Sequence, residues 1–306
     1  MRNQNTIQHP FTLSGKGLHT GLHINAVFKP APADSGIRIA RVDLDGIPTY
    51  QALADYVSET ARGTVLSNGE WRVSTVEHVL SALYAMQIDN CLIEVDAPEV
   101  PILDGSALYI VRAIENAGIQ PQDKICRQVR ITEPIEFVNE RTGSILRLLP
   151  ADRLTFEVVI DFRSEILSQQ KAVLEDITDY PAMVAPARTF CFLREVGPLL
   201  KAGYIKGGDL QNAVVIYDQL MDKQQFAEFA HSLGISIDYN ADQLGYLTPL
   251  HFDNEPARHK LLDLMGDLSL VGTRFVGKIT AYRPGHTSNT VFARMVKEKI
   301  SQMSNQ

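Results

Sequence analysis

Cysteine is scarce in this chain of 306 residues. The three present, Cys91, Cys126 and Cys191, lie far apart with no CxxC pair, which argues against a disulfide framework and against a cysteine-built zinc site. Long apolar runs are missing too: no segment approaches the ~20 residues of a membrane span. The opening residues, MRNQNTIQHPFTL, lack the apolar stretch of a secretory leader. Together these absences predict a protein of the reducing cytoplasm. Positive charge is not in excess either. With 29 Lys and Arg against 36 Asp and Glu the net charge is −7, which argues against nucleic acid as a partner, because that needs a basic face. What remains is ordinary: 45% hydrophobic and 21% charged residues suffice for a full core, and the length suits two domains or one large one.

The most informative segment is ARHKLLDLMGDL at 257–268. If it runs as a helix from Pro256, which suits a first helical position, each residue advances 100° around the axis. His259, Asp263 and Asp267 then share an arc of about 80°, with Leu261, Leu262, Leu264, Met265 and Leu268 filling the opposite side. The i, i+4 spacing brings His259 and Asp263 together as a pair of metal ligands requires. One turn further on, Asp267 is placed to orient a partner from behind. A solvated helix face that happens to carry a histidine is the competing reading.

A second segment of the same kind, TVEHVLSALYA at 75–85, tips the balance. Val76, Val79, Leu80 and Leu83 form an apolar stripe and His78 points away from it, so a third ligand could come from here. Glu77 adjoins it, and it also closes the pattern Ser74-x-x-Glu77, a capping box. Capping and a functional role near that helix end are both open to Glu77.

Elsewhere, alternation at Leu22, Ile24, Ala26 and Phe28, then at Ile37 and Ile39, predicts strands with one buried face. A helix near 74–87, a strand over 91–96 and a helix near 106–117 follow. The polar stretch AGIQPQDKICRQ, broken by Pro121, is the best linker candidate. Strands are expected again near 128–138, 144–149 and 153–162, and the polar tail EKISQMSNQ is expected to fray. Strands mixed with a few long helices, without a strict βαβ rhythm, predict an α+β protein. No sequence repeat is visible.

Seven blocks, SGKGLHTG, TVEHVLSAL, PILDGSA, APARTF, IKGGDLQNAVV, ARHKLLDLMGDL and RPGHTSN, resemble in order the UDP-3-O-acyl-N-acetylglucosamine deacetylases of lipid A biosynthesis. The resemblance covers essentially the whole chain and is closest to the deacetylase half of fused enzymes in which a hydroxyacyl carrier-protein dehydratase follows. It implies two similar sheet-and-helix domains packed helix to helix, here 1–124 and 125–306, with the site between them and an insert near 188–216. It implies Zn2+ held by His78, His259 and Asp263, with Glu77 as general base. His286 would be the protonated partner that assists the leaving amine, Asp267 would hold its charge, and Thr189 would donate to the oxyanion. A UDP-linked acylated amino sugar is the implied partner: Lys260 and Arg283 suit its diphosphate, and Asp161 and Phe162 lie where the family contacts the nucleotide. Phe190, Leu193, Val196, Ile205, Gly208 and Val215 would line a passage for the acyl chain. Relatives carry glycine between the two phenylalanines of that segment, whereas this chain has Cys191. The chain is expected to be monomeric, with fusion to a dehydratase downstream as a possibility. Two histidines and a carboxylate also describe the facial triad of a non-haem iron oxygenase, the alternative reading of the same residues.

Overall fold

The computed structural model describes residues 2–232 and 242–304. The first half is built on a five-stranded sheet whose strands are β1 (Phe11–Lys16), β2 (His23–Pro30), β3 (Ile37–Arg41), β4 (Thr49–Gln51) and β5 (Cys91–Val95). Their order is β1-β2-β5-β3-β4, antiparallel except for the parallel pair β3–β5. Ile24, Ala26 and Phe28 bury one face of β2 as the alternation requires. Leu22, counted in that alternation, lies before the strand and is half exposed.

The second half repeats the plan. Its strands are β6 (Ile135–Asn139), β7 (Ser144–Leu149), β8 (Thr155–Ile160), β9 (Gln170–Leu174) and β10 (Lys278–Tyr282), in the order β6-β7-β10-β8-β9. Again one pair, β8–β10, is parallel and the rest antiparallel. The molecule is therefore α+β with two sheet-plus-helix domains of one topology. The repeat is invisible in the sequence because topology demands only alternating burial at matching strands, not matching residues.

A parallel strand needs a long crossover connection, and in each half that connection carries the key helix. Helix α1 (Glu77–Ala85) precedes β5; α2 (Leu108–Ala117) follows it. In the second half α3 (Leu193–Lys201) lies in the insert, α4 (Glu255–Ser269) precedes β10 and α5 (His286–Ser304) follows it. The two halves meet where α1 packs along α4. Every residue of α1 is buried, and so is nearly all of α4. The solvated-face reading of the 257–268 helix is thereby excluded: His259, Asp263 and Asp267 are at most 1% exposed.

Three local expectations are corrected. Ser74-x-x-Glu77 is not a capping box: α1 has Val76 at its N-cap with no side-chain cap, and the preceding Thr75 is left-handed at φ 61°. Ser74 is instead held by Pro98 and Val100 through its backbone, with its hydroxyl donating to the Pro98 carbonyl, so Glu77 is free for other work. The linker candidate contains a strand, Ile119–Ile125, paired antiparallel with Asn3–Ile7; Pro121, which has no N–H to give, sits beside the register shift. It reads as a loop because nearly all its side chains are exposed. The strand expected over 128–138 is two, Gln128–Arg130 and β6, separated at Pro134. The tail is helical through Ser304, and residues 305 and 306 lie outside the described residues.

Small sheets decorate each half: Val57–Glu59, Val65–Ser67 and Arg72–Val73 in the first, Phe190–Phe192, Val214–Tyr217 and Gly245–Tyr246 in the second. The second is part of the insert, which has its own apolar cluster of Leu193, Val196, Val215, Tyr217 and Phe226.

Candidate active site

The close approach of α1 and α4 is made at Gly266. A Cβ there would lie 2.1 Å from the Glu77 carbonyl oxygen, so only glycine lets the two backbones come this near. That contact sets Glu77 and His78 against one face of α4. His259 Nε2 lies 3.3 Å and His78 Nε2 3.8 Å from the same oxygen, Asp263 Oδ1. Among the described residues this buried Oδ1 has no hydrogen-bond partner. His259 Nδ1 is 3.0 Å from the Ala187 carbonyl, an acceptor that fixes the proton on Nδ1 and leaves the Nε2 lone pair facing the cluster.

These atoms fit a zinc ion. Tetrahedral zinc with bonds of about 2.0–2.2 Å needs ligand atoms roughly 3.3–3.5 Å apart, close to the separations found. Burial lowers the pKa of both histidines, that of His78 to about 3, so both are neutral as metal ligands must be. At Asp263 burial works the other way, but the basic groups around it, with the Lys260 ammonium and the His286 imidazolium carrying the positive charge, outweigh it and hold the carboxyl ionised. A buried, ionised, unpaired carboxylate oxygen between two neutral imidazoles is an arrangement that a cation completes.

Beside this triad stands a second set. His286, the first residue of α5, directs Nδ1 at Asp267 Oδ2, 3.0 Å away, while its Nε2 lies 3.9 Å from Glu77 Oε1 and 3.7 Å from Asp263 Oδ2. Burial, which would lower the pKa of His286, is overcome by Asp267, Asp263 and Glu77, and the imidazole is raised to about 9. Burial dominates at Glu77, whose carboxyl is pushed up to about 7, the nearby carboxylates adding to the effect and His286 opposing it. A carboxylate poised near neutrality opposite an imidazolium is a base facing an acid.

The remaining sequence-predicted residues divide. Thr189 lines the cleft and is fixed through its backbone, its N–H donating to the Gly105 carbonyl at 2.7 Å and its carbonyl accepting from Val214. Gly105 is obligatory there: φ is 80° and a Cβ would fall 1.9 Å from the Asn212 carbonyl. Lys260 lines the cleft with its ammonium 2.6 Å from Asp263 Oδ2 and 5.4 Å from the Phe190 ring centre. Phe162 stacks edge-on against Phe190, but neither it, Asp161 nor Arg283 is on the cleft lining. Asp161 instead accepts from the Tyr282 hydroxyl. Arg283 is held by its backbone to Val159 and Ser144.

The cleft, about 150 Å³, shares Leu18, Arg62, Thr189 and Phe190 with an apolar passage of about 70 Å³. Val196, Ile205, Gly208, Val215 and Cys191 line the passage. Leu193 does not; it packs in the core of the insert, which is a correction to the sequence reading. A larger groove of about 700 Å³ runs past Asp89, Lys124 and Arg274, but there Lys124 is paired with Asp34 and Arg274 with Asp89, and among the described residues no set of metal-ligand atoms converges on it, so the chemistry belongs to the smaller cleft.

Several contributors escape sequence reasoning. Thr64 and Asn289 both reach Asp267. Asn289 had a signal, since it stands one turn after His286. Glu99, fully buried, accepts from the backbone of His19 and Thr20 and from both the Thr20 and Thr75 hydroxyls, which pins the SGKGLHTG loop beside the cleft. Arg188 of APARTF forms a buried pair with Glu255 at the start of α4.

A protein-family model described as UDP-3-O-acyl N-acetylglycosamine deacetylase matches residues 4–231 and 230–298. A bifunctional enzyme LpxC/FabZ of Bacteroides thetaiotaomicron is 50% identical over 98% of this chain and 65% of its own length. One of Chlorobaculum tepidum is 42% identical over 96% of this chain and 64% of its own. A UDP-3-O-acyl-N-acetylglucosamine deacetylase of Anaeromyxobacter sp. is 40% identical over 96% of this chain and 88% of its own. The chain thus spans about two thirds of the length of the bifunctional relatives it matches.

Proposed function

Because the chain belongs to the UDP-3-O-acyl-N-acetylglucosamine deacetylase family, we propose that it hydrolyses the acetamide of UDP-3-O-(3-hydroxyacyl)-N-acetylglucosamine. Acetate is released, and the reaction is a zinc-dependent step of lipid A biosynthesis. The observation that carries this reading is the convergence of His78 Nε2, His259 Nε2 and the unpartnered Asp263 Oδ1, flanked by a base and an acid.

His78, His259 and Asp263 would hold the ion, which when bound supplies Lewis-acid polarisation and lowers the pKa of water. Glu77 takes the proton of the attacking water as the C–O bond forms. The Thr189 hydroxyl donates to the oxygen that becomes negative. His286 then gives its Nε2 proton to the amide nitrogen as the C–N bond breaks, and Asp267 keeps that imidazole charged and aimed. Lys260, on the cleft lining, and Arg283 meet the diphosphate of the UDP group, and Asp161 and Phe162 contact its nucleoside. The acyl chain enters the passage through the rim shared with the cleft.

Protein purified without added metal should contain one zinc per chain and release one acetate per amine formed from the UDP-linked acylated sugar. His259→Ala should lose the metal while the fold survives. Iron with oxoglutarate-dependent turnover and no acetate release would replace this reading by the oxygenase.

A further inference from the structure

We propose that Thr64 is a positioning residue that locks the base and the acid into one geometry, a role that rests on the deacetylase reading above. Thr64 precedes the strand Val65–Ser67 in the first half and is fully buried. It neither lines the cleft nor belongs to the converging ligand set. Yet it touches both sides of the chemistry. Its backbone N–H donates to Glu77 Oε2 at 2.9 Å, and its hydroxyl donates to Asp267 Oδ1 at 2.5 Å while lying 3.3 Å from His286 Nδ1.

The consequence follows from how carboxylates are satisfied. Asp267 is fully buried, and its Oδ2 accepts from His286 Nδ1 and from Asn289 Nδ2 at 2.9 Å. Thr64 is the partner of its other oxygen among the described residues. Without that hydroxyl a buried carboxylate oxygen is left bare, and the group turns to share the donors on Oδ2. The His286 ring is hung from that same oxygen, so its Nε2 swings off the leaving nitrogen. On the other side, the Thr64 amide occupies Glu77 Oε2 and leaves Oε1 as the free base oxygen. Gly63 makes room for it, since a Cβ there would come within 2.9 Å of Oε1. Glu77 and Thr64 belong to the first half, and Asp267, His286 and Asn289 to the second. One residue thus registers the two halves at the point of proton transfer.

The test uses zinc-loaded full chain. Thr64→Val keeps the amide and removes the hydroxyl; kcat should fall roughly 10- to 100-fold, the usual worth of a hydrogen bond to a charged group, while KM and bound zinc stay within about twofold, a split expected when a transition-state interaction is lost. Thr64→Ser should restore turnover. In an Asp267→Asn background Thr64→Val should cost nothing more, because a residue acting through another is non-additive with it. A downfield proton signal of His286 Nδ1–H, assigned by its absence in His286→Gln, should shift in Thr64→Val and return in Thr64→Ser. If Thr64→Val does not fold, Thr64→Ala makes the same removal. Wild-type turnover in Thr64→Val or Thr64→Ala, multiplying losses in the double variant, or a proton signal unmoved in Thr64→Val would overturn the coupling. Absence of acetate release from the wild type would instead overturn the proposed function, and the proton signal would still decide the role of Thr64.

Discussion

Gly266→Ala sets intrinsic helix preference against packing and lets the structure decide. In a helix interior alanine is favoured over glycine by about 1 kcal/mol, so at an ordinary position of α4 the substitution would stabilise. Here the new Cβ would stand 2.1 Å from the Glu77 carbonyl oxygen, 2.8 Å from its carbon and 3.0 Å from its Cα. Ordinary carbon contacts begin near 3.5 Å, so α1 and α4 must part by about 1 Å. These are backbone atoms and cannot rotate aside. Overpacking of this kind costs about 1–3 kcal/mol, which reverses the sign of the propensity gain. The same shift carries Glu77 and His78 away from His259 and Asp263, and a misplacement of about 1 Å is enough for a 10²-fold loss of turnover. Urea unfolding, zinc per chain and acetate release should therefore all decline together. An alanine variant that is as stable as wild type or more so, and keeps its zinc and its rate, would refute the close packing on which the site is built.

Glu77→Gln should keep zinc and substrate affinity yet lose roughly 10²–10⁴-fold in turnover, the worth of a positioned base; a loss of stability with activity intact would return the residue to a purely structural role. Turnover should follow a bell-shaped pH curve. The acidic limb should lie above the ordinary carboxylate range, because the Glu77 carboxyl is raised to about 7 and must ionise to act; the basic limb reflects His286, raised to about 9, and should vanish in His286→Gln. The raised imidazole also stabilises the fold, fully below its ordinary 6.5 and less as pH climbs through about 9, which urea midpoints across that window would register. Gly208→Met should penalise the acylated substrate while sparing zinc content and the slow background rate on unacylated UDP-N-acetylglucosamine, since Gly208 lines the passage beside Ile205 and Leu18; equal losses on both substrates would dismiss the passage.

Local spacing carried the two halves of the site separately. The 3.6-residue period put His259, Asp263 and Asp267 on one side of α4, and His78 opposite the stripe of Val76, Val79 and Leu83. The α+β class was equally legible, because alternation and helical periodicity are properties of neighbours along the chain. What neighbours cannot encode is which surfaces meet. Ser74-x-x-Glu77 has the local form of a cap, and only the bridge of Ser74 to Pro98 and the amide of Thr64 decide that it is none. The exposed ribbon strand at 119–125 hides because it buries no face to write a pattern. Leu193 and Val196 look alike in sequence, but one fills the core of the insert and the other also faces its passage. Thr64, thirteen residues before Glu77 and in contact with Asp267 two hundred residues on, has no signal of its own. The repeated topology and the meeting of α1 with α4 at Gly266 belong to the same class: a contact between distant segments is stabilised by the fit of whole surfaces, and that fit exists only once both have folded.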